Sequence, residues 1–291
     1  VKDLSKAFGN KIINRVSRQP DLSKKTALNN QVIHKGDLSD KYFLQSIFNK
    51  RDIDTVIFCA AKWNGLNQDK DIFNANVELL EVFLDNAPNH LTNFVFISSS
   101  AVYKDHYLDS LEVTEDPISS YGRAKLKSEN FLKEFCRNKD IKFTIYRPFH
   151  IVSPAEPYEK GRSHVVTDFL HKYIKLEQDF NWSSLHESPF IPFTWVEDIS
   201  HVITENLFNK SFENEIYNLG SSVSYNLKEL AFCIAKTCLK MELSSFDTFK
   251  NQIVEGPKEN VFFNKINEEI SFSFSQDLEE IVRKYILKKY T

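Results

Sequence analysis

Apolar positions along this chain fall into two alternating kinds of run. Short stretches containing β-branched and aromatic residues, Lys11 to Val16, Gln31 to His34, Thr55 to Cys59, Phe94 to Ile97 and Lys142 to Tyr146, predict strands, and the unbroken run Phe94 to Ile97 predicts cover on both faces. Between them lie stretches with helical spacing. Ser39 to Asn49 is one, and Asp71 to Ala87 is another, with Phe73, Val77, Leu80 and Leu84 on one face. A third runs from Tyr121 to about Cys136, and its face gathers Tyr121, Lys125, Ser128, Leu132 and Phe135. Strands alternating with helices predict βαβ units and a parallel, doubly wound α/β sheet.

The alternation breaks down after residue 150, where prolines stand at 154, 157, 189 and 192. Residues 1–150 therefore read as one α/β domain and 151–291 as a smaller second domain, with 194–220 returning toward the first. The end, Gln276 to Tyr290, reads as an amphipathic helix with basic residues in its last turns. The start, VKDLSKAFGN, reads as the end of a helix stopped at Gly9-Asn10.

Composition narrows the classes. A net charge of −3 over 291 residues gives no sign of a nucleic-acid partner, and no apolar run approaches the roughly 20 residues that span a bilayer. With no signal-type start, the default is a cytoplasmic, soluble protein, and a homodimer stays open. Cys59, Cys136, Cys233 and Cys238 form no C-x-x-C pair and read as buried, reduced thiols, with neither a metal site nor a disulfide framework indicated. The 7 glycines are never closer than 27 residues apart, so this sequence holds no glycine-rich phosphate loop.

Candidate chemistry centres on the strand Phe94 to Ile97, which stops at Ser98-Ser99-Ser100, and on the segment YGRAK at 121–125. A lysine on the apolar side of a helix is uncommon unless paired or employed. Tyr-x-x-x-Lys spacing alone is weak evidence, since Tyr285 and Lys289 repeat it. The combination is what counts: hydroxyl residues at a strand's carboxyl end, then a tyrosine 22 positions after Ser99 that shares its helix face with Lys125.

The order of HKGDLSD (34–40), VIFCAA (56–61), Asn76, FVFISSSAVY (94–103), YGRAK, RPFHIVSP (147–154), FTWVEDIS (193–200) and YNLGSSVSYNLKELA (217–231) resembles the extended short-chain dehydrogenase/reductases, the NAD-dependent epimerase/dehydratase family. The resemblance covers nearly the whole chain. It implies a Rossmann-like fold, with 1–150 as a dinucleotide-binding domain and 151–291 as mainly a substrate-binding one, and action on a nucleotide sugar. It also implies that a first strand and a G-x-x-G-x-x-G loop, about 15 to 20 residues, precede Val1 in the parent.

By that resemblance Ser99, Tyr121 and Lys125 are catalytic, with Ser100 as the fallback for Ser99. Tyr121 is the acid/base, and Lys125 lowers its pKa and holds a cofactor ribose. Arg18 stands where the family chooses its cofactor. An arginine with no acid at that strand end favours NADP, with NAD as the alternative. Asp37 and Leu38 would flank the adenine, and Ala60 and Ala61 would line the pyrophosphate and ribose; a helix cap and strand packing are the plain alternatives. His150 takes the place of a substrate-contacting asparagine, or is a structural histidine.

Ser99 is followed by Ser100-Ala101 rather than by an acidic pair, which disfavours dehydration. A 4-keto sugar reductase is the favoured reading. A nucleotide-sugar 4-epimerase and a non-catalytic dinucleotide-binding relative are the alternatives.

Overall fold

A computed structural model of the chain describes residues 7, 11–18, 30–62, 70–104, 114–175, 185, 188–209, 214–243, 256–259 and 272–290. The expected helix end at Val1 to Asn10 lies outside these apart from Ala7, which is helical.

Four strands form one parallel sheet in the order β3 (Thr55–Phe58), β4 (Asn93–Ile97), β5 (Lys142–Pro148), β8 (Glu215–Leu219). A separate parallel pair joins β1 (Ile13–Ser17) to β2 (Gln31–Lys35), with Ile13 opposite Gln31 and Ser17 opposite Lys35. The expected doubly wound sheet thus falls, among the described residues, in two parallel pieces. Lys11 Nζ donates to Asp54 Oδ2 at 2.8 Å, linking the approach to β1 with the approach to β3.

Helices make the crossovers: α1 (Lys41–Phe48) before β3, α2 (Lys70–Asp85) between β3 and β4, and α3 (Ser120–Lys139) between β4 and β5. The unbroken apolar run of β4 is explained by cover on both faces. Phe94 and Phe96 enter a cluster with Phe58, Leu80, Phe83, Leu84 and Leu132, where α2 and α3 pack. Val95 points the other way, toward Tyr146, Ile199 and Val202, the last two on α5 (Val196–Asn209). Burying side chains of this size contributes about 1.5 to 3 kcal/mol each.

A further apolar cluster lies in the later part of the chain. It is built on α4 (Val165–Lys175), α6 (Leu227–Lys240) and α7 (Leu278–Tyr290), with Phe169, Leu170, Trp195, Ile234, Tyr285 and Ile286 inside it. Short pairings, β6 (Ile151–Val152) with β7 (Thr194–Trp195) and β9 (Val223–Ser224) with β10 (Lys258–Glu259), complete the described strands. The second Tyr-x-x-x-Lys match lies here. Tyr285 is fully buried on α7 and hydrogen-bonded to Thr167 at 2.8 Å, and Lys289 Nζ donates to its hydroxyl at 3.1 Å.

Cys136, Cys233 and Cys238 are buried, but Cys59 is exposed, against expectation. It stands one residue past β3. Its thiol nonetheless sits among enough protein that burial raises its pKa, opposed by the charge of Lys125. No described helix is long and apolar enough to cross a membrane.

Candidate active site

Because β3, β4 and β5 are parallel, the segments that follow them emerge on one edge of the sheet, where α/β sheets bind their ligands. Ser98 N donates to the carbonyl of Tyr146 at 2.7 Å, so the β4 and β5 exits run side by side before parting. After β4 the chain turns through a short 3-10 segment, Ser100–Val102. Its start is capped by Ser99, whose Oγ accepts from Ala101 N at 3.1 Å.

Helix α3 must approach this turn closely for Tyr121 to reach it. Ser119 caps the helix, its Oγ accepting from Gly122 N at 2.9 Å, and a left-handed Asp140 closes the far end. Gly122 is what permits the approach: a Cβ there would lie 1.9 Å from the carbonyl oxygen of Ala101. No side chain fits in that space.

The result brings the three expected residues together. Tyr121 and Ser99 share a side-chain hydrogen bond. Lys125, buried to 3% exposure, donates from Nζ to the carbonyl of Ile97 at 2.7 Å, with the Phe96 ring centroid at 4.7 Å and that of Tyr121 at 5.7 Å. Burial pushes Tyr121 up to about 12, and the Ser99 bond partly opposes this. Burial likewise lowers Lys125 to about 8, against the opposing influence of Cys59 and then Glu129.

In this structure the ammonium is engaged beneath β4, and the hydroxyl that opposes the rise at Tyr121 is Ser99. Ser100, the fallback for Ser99, is buried at the start of the turn.

His150 follows β5 in a left-handed conformation, φ 38°, which asparagine and histidine tolerate better than most residues. Its carbonyl accepts from Thr194 N at 3.1 Å, tying this exit to β7.

The other expected residues lie at the ends of β1, β2 and β3. Exposed Arg18 and Asp37 are close enough that the guanidinium helps hold the Asp37 carboxyl below its usual range, after two larger contributions from Ser39. Asp37 Oδ1 accepts from Ser39 N and Oγ at 3.0 and 2.8 Å, while the cap of α1 is Asp40. Leu38 and Ala60 are half-buried against the α2/α3 cluster, and Ala61 is exposed. Asn76 fixes the segment beyond Ala61: its Oδ1 accepts from Lys62 N at 2.8 Å and its Nδ2 donates to Lys62 O at 2.9 Å. A buried amide on an otherwise apolar helix face was the available signal for that role.

This donor set fits a dinucleotide. A buried ammonium lies beside a neutral tyrosine, and an arginine and an ionised aspartate follow β1 and β2. Among the described residues no cluster of histidine, cysteine and acidic groups could hold a metal.

A parallel sheet with hydroxyl, phenol and ammonium groups gathered at its strand exits defines the Rossmann-like class of dinucleotide-binding proteins. The chain belongs to the NAD dependent epimerase/dehydratase family, whose sequence model matches residues 6–220. It is 26% identical over 203 residues to a putative UDP-glucose 4-epimerase of Methanocaldococcus jannaschii, spanning 67% of this chain and 64% of that protein. It is 27% identical over 231 residues to the UDP-glucose 4-epimerase of Yersinia pestis, spanning 72% and 68%. The matches therefore span about two thirds of these relatives' lengths. The crystal structure of Thermotoga maritima UDP-glucose 4-epimerase with UDP-glucose superposes with a TM-score of 0.73 at 19% identity, covering 100% of this chain and 96% of that one, and shows the shared fold.

Proposed function

We propose that the complete protein is a dinucleotide-dependent enzyme that oxidises and reduces a hydroxyl carbon of a nucleotide sugar, and that its reaction is 4-epimerisation of a UDP-sugar. The observation that carries this reading is the hydrogen bond between Ser99 and Tyr121, with Lys125 buried one helical turn behind.

Tyr121 and Ser99 would both contact the sugar hydroxyl that reacts. With its pKa near 12, Tyr121 is a neutral phenol at physiological pH and serves as a proton donor to a sugar oxygen. In the other direction it takes the sugar's hydroxyl proton as a phenolate, the form that a hydrogen bond from Ser99 and a positive Lys125 both favour. The nicotinamide, when bound, supplies hydride transfer at the same carbon. Lys125, Asp37, Leu38, Ala60 and Ala61 would hold the dinucleotide; Ser100 and His150, with residues 151–291, would hold the sugar nucleotide.

The names of the relatives support epimerisation, with NAD kept bound and the hydride returned to the opposite face. A second reading, reduction of a 4-keto sugar by NADPH, rests on Arg18, an exposed cation at the end of β1 suited to a 2′-phosphate. Asp37 beside it counts against that reading, because its ionised carboxylate repels such a phosphate. The three assembled residues also speak against a purely sensing role, which needs no acid/base. Incubating the protein with UDP-glucose and NAD, and separately with 4-keto UDP-sugars and NADPH, tests the choice. Interconversion of UDP-glucose with its 4-epimer without net NADH release identifies an epimerase, and stoichiometric NADPH consumption a reductase.

A further inference from the structure

Behind the strand exits lies a polar cluster to which the roles above assign nothing. Glu129 is fully buried on α3, one turn beyond Lys125, and Arg147 is buried on β5. Arg147 donates from Nε to Glu129 Oε1 at 3.0 Å and from Nη2 to Oε2 at 2.6 Å, a two-pronged pair. Ser98 Oγ donates to the same Oε1 at 2.5 Å. On its other side Arg147 Nη1 donates to Tyr103 OH at 2.8 Å, and that hydroxyl donates to Asn218 Oδ1 at 2.8 Å. Glu115 Oε1 also lies 2.6 Å from Nη2.

Each partner sits next to something the proposed chemistry needs. Ser98 precedes Ser99. Tyr103 closes the turn that Ser99 caps. Glu115 lies in the segment leading into α3 and Tyr121. Glu129 shares a helix face with Lys125, and Arg147 stands three residues before His150.

A structural ion pair is the plain alternative, but a buried pair is a poor source of stability. Apolar residues of like volume commonly serve as well or better. What it does supply is directional geometry joining β4, α3, β5 and β8. Burial works against the charge on Arg147, and the Glu129 hydrogen bonds outweigh it, raising its pKa.

We infer that the Glu129–Arg147 pair is a positioning device that holds the Ser99 turn, the start of α3 and Lys125 in one arrangement. This rests on the function proposed above. A misplacement of about 1 Å costs on the order of 100-fold in rate, and the Ser99–Tyr121 contact spans two elements that this cluster holds together with the Lys125–Ile97 hydrogen bond and the close approach at Gly122. Glu129 has a second, electrostatic part in the arrangement. The groups facing Lys125 are Tyr121 and Glu129 from its own helix, Cys59 from beyond β3, and the Phe96 ring and Ile97 carbonyl from β4. Glu129 and Cys59 favour its charged form against burial.

The test compares the unmodified protein with Glu129→Gln and with the double variant Glu129→Leu/Arg147→Met, which replaces the pair by apolar groups and guards against a single variant that fails to fold. Amide hydrogen exchange is read without substrate. We expect about 10-fold or faster exchange confined to residues 98–103 and 119–125 in Glu129→Gln. With substrate, kcat falls about 10- to 100-fold with KM changed by less than about 3-fold, and the alkaline limb of kcat/KM moves to lower pH. A merely structural pair would not move that limb. The double variant stays folded and equally slow.

Exchange at these segments unchanged in Glu129→Gln, or a double variant that recovers the full rate, overturns the inference. If the unmodified protein turns over no nucleotide sugar, the proposed function fails, while localised exchange still supports the positioning role.

Discussion

Lys125 reaches under β4 to the carbonyl of Ile97, 2.7 Å from its Nζ, and so carries a buried charge at the end of the strand that leads to Ser99. This single contact sets both a cost and a use. The cost is desolvation, which lowers the lysine from an ordinary value of 10.5 to about 8.

The sign of that shift predicts a stability effect. Below pH 8 the lysine is charged both folded and unfolded, so the folded protein bears the whole burial cost. Between about 8 and 10.5 the unfolded chain holds more protons, stability rises with pH, and the cost is gone above 10.5. Lys125→Met should therefore stabilise the fold by on the order of 3 kcal/mol at pH 7 and abolish activity. Denaturant unfolding at pH 7 and at pH 10.5 measures this, and the gain should shrink at the higher pH.

Activity should show the same group in the free enzyme. The proposed role of Lys125 requires its charge, so kcat/KM is expected to fall as pH rises through about 8. A profile flat to pH 10 would show that this lysine does not titrate in the working enzyme.

Gly122→Ala places a methyl group against the Ala101 carbonyl, a backbone atom that cannot rotate away. The helix must shift from the turn. We expect a loss of about 1 to 3 kcal/mol in stability together with a lowered kcat, read by thermal unfolding and steady-state rates. A variant as stable and active as the parent would contradict the close approach.

His150→Asn should retain stability, because asparagine also accepts a left-handed backbone, whereas His150→Val should lose about 1 to 2 kcal/mol. The pair separates backbone strain from chemistry. If the asparagine variant is stable but slow, the imidazole itself contributes to the site.

Much of this was legible in the chain. The unbroken run Phe94 to Ile97 marked a strand covered on both faces, and the helical spacing through Tyr121 and Lys125 placed both near one face. Periodicity reports which face a residue occupies, however, and not which neighbour it meets. That is why the sequence put Lys125 on the Tyr121 face without showing that its ammonium meets the Ile97 carbonyl. Glu129 and Arg147 were missed for a related reason. Each alone resembles an ordinary charged residue, and only their meeting across helix and strand, 18 residues apart, marks them as a buried pair. The division of the parallel strands into two sheets left no sign in local pattern, because strand pairing is a long-range property.

The account turns on Tyr121 as the proton-transferring group, and Tyr121→Phe tests it most directly. The variant keeps the ring and loses one hydrogen bond, so its thermal unfolding should stay close to that of the parent. Its rate of interconverting UDP-glucose with the 4-epimer should fall about 100- to 10,000-fold. A folded Tyr121→Phe protein that epimerises at the parent's rate would contradict the assignment.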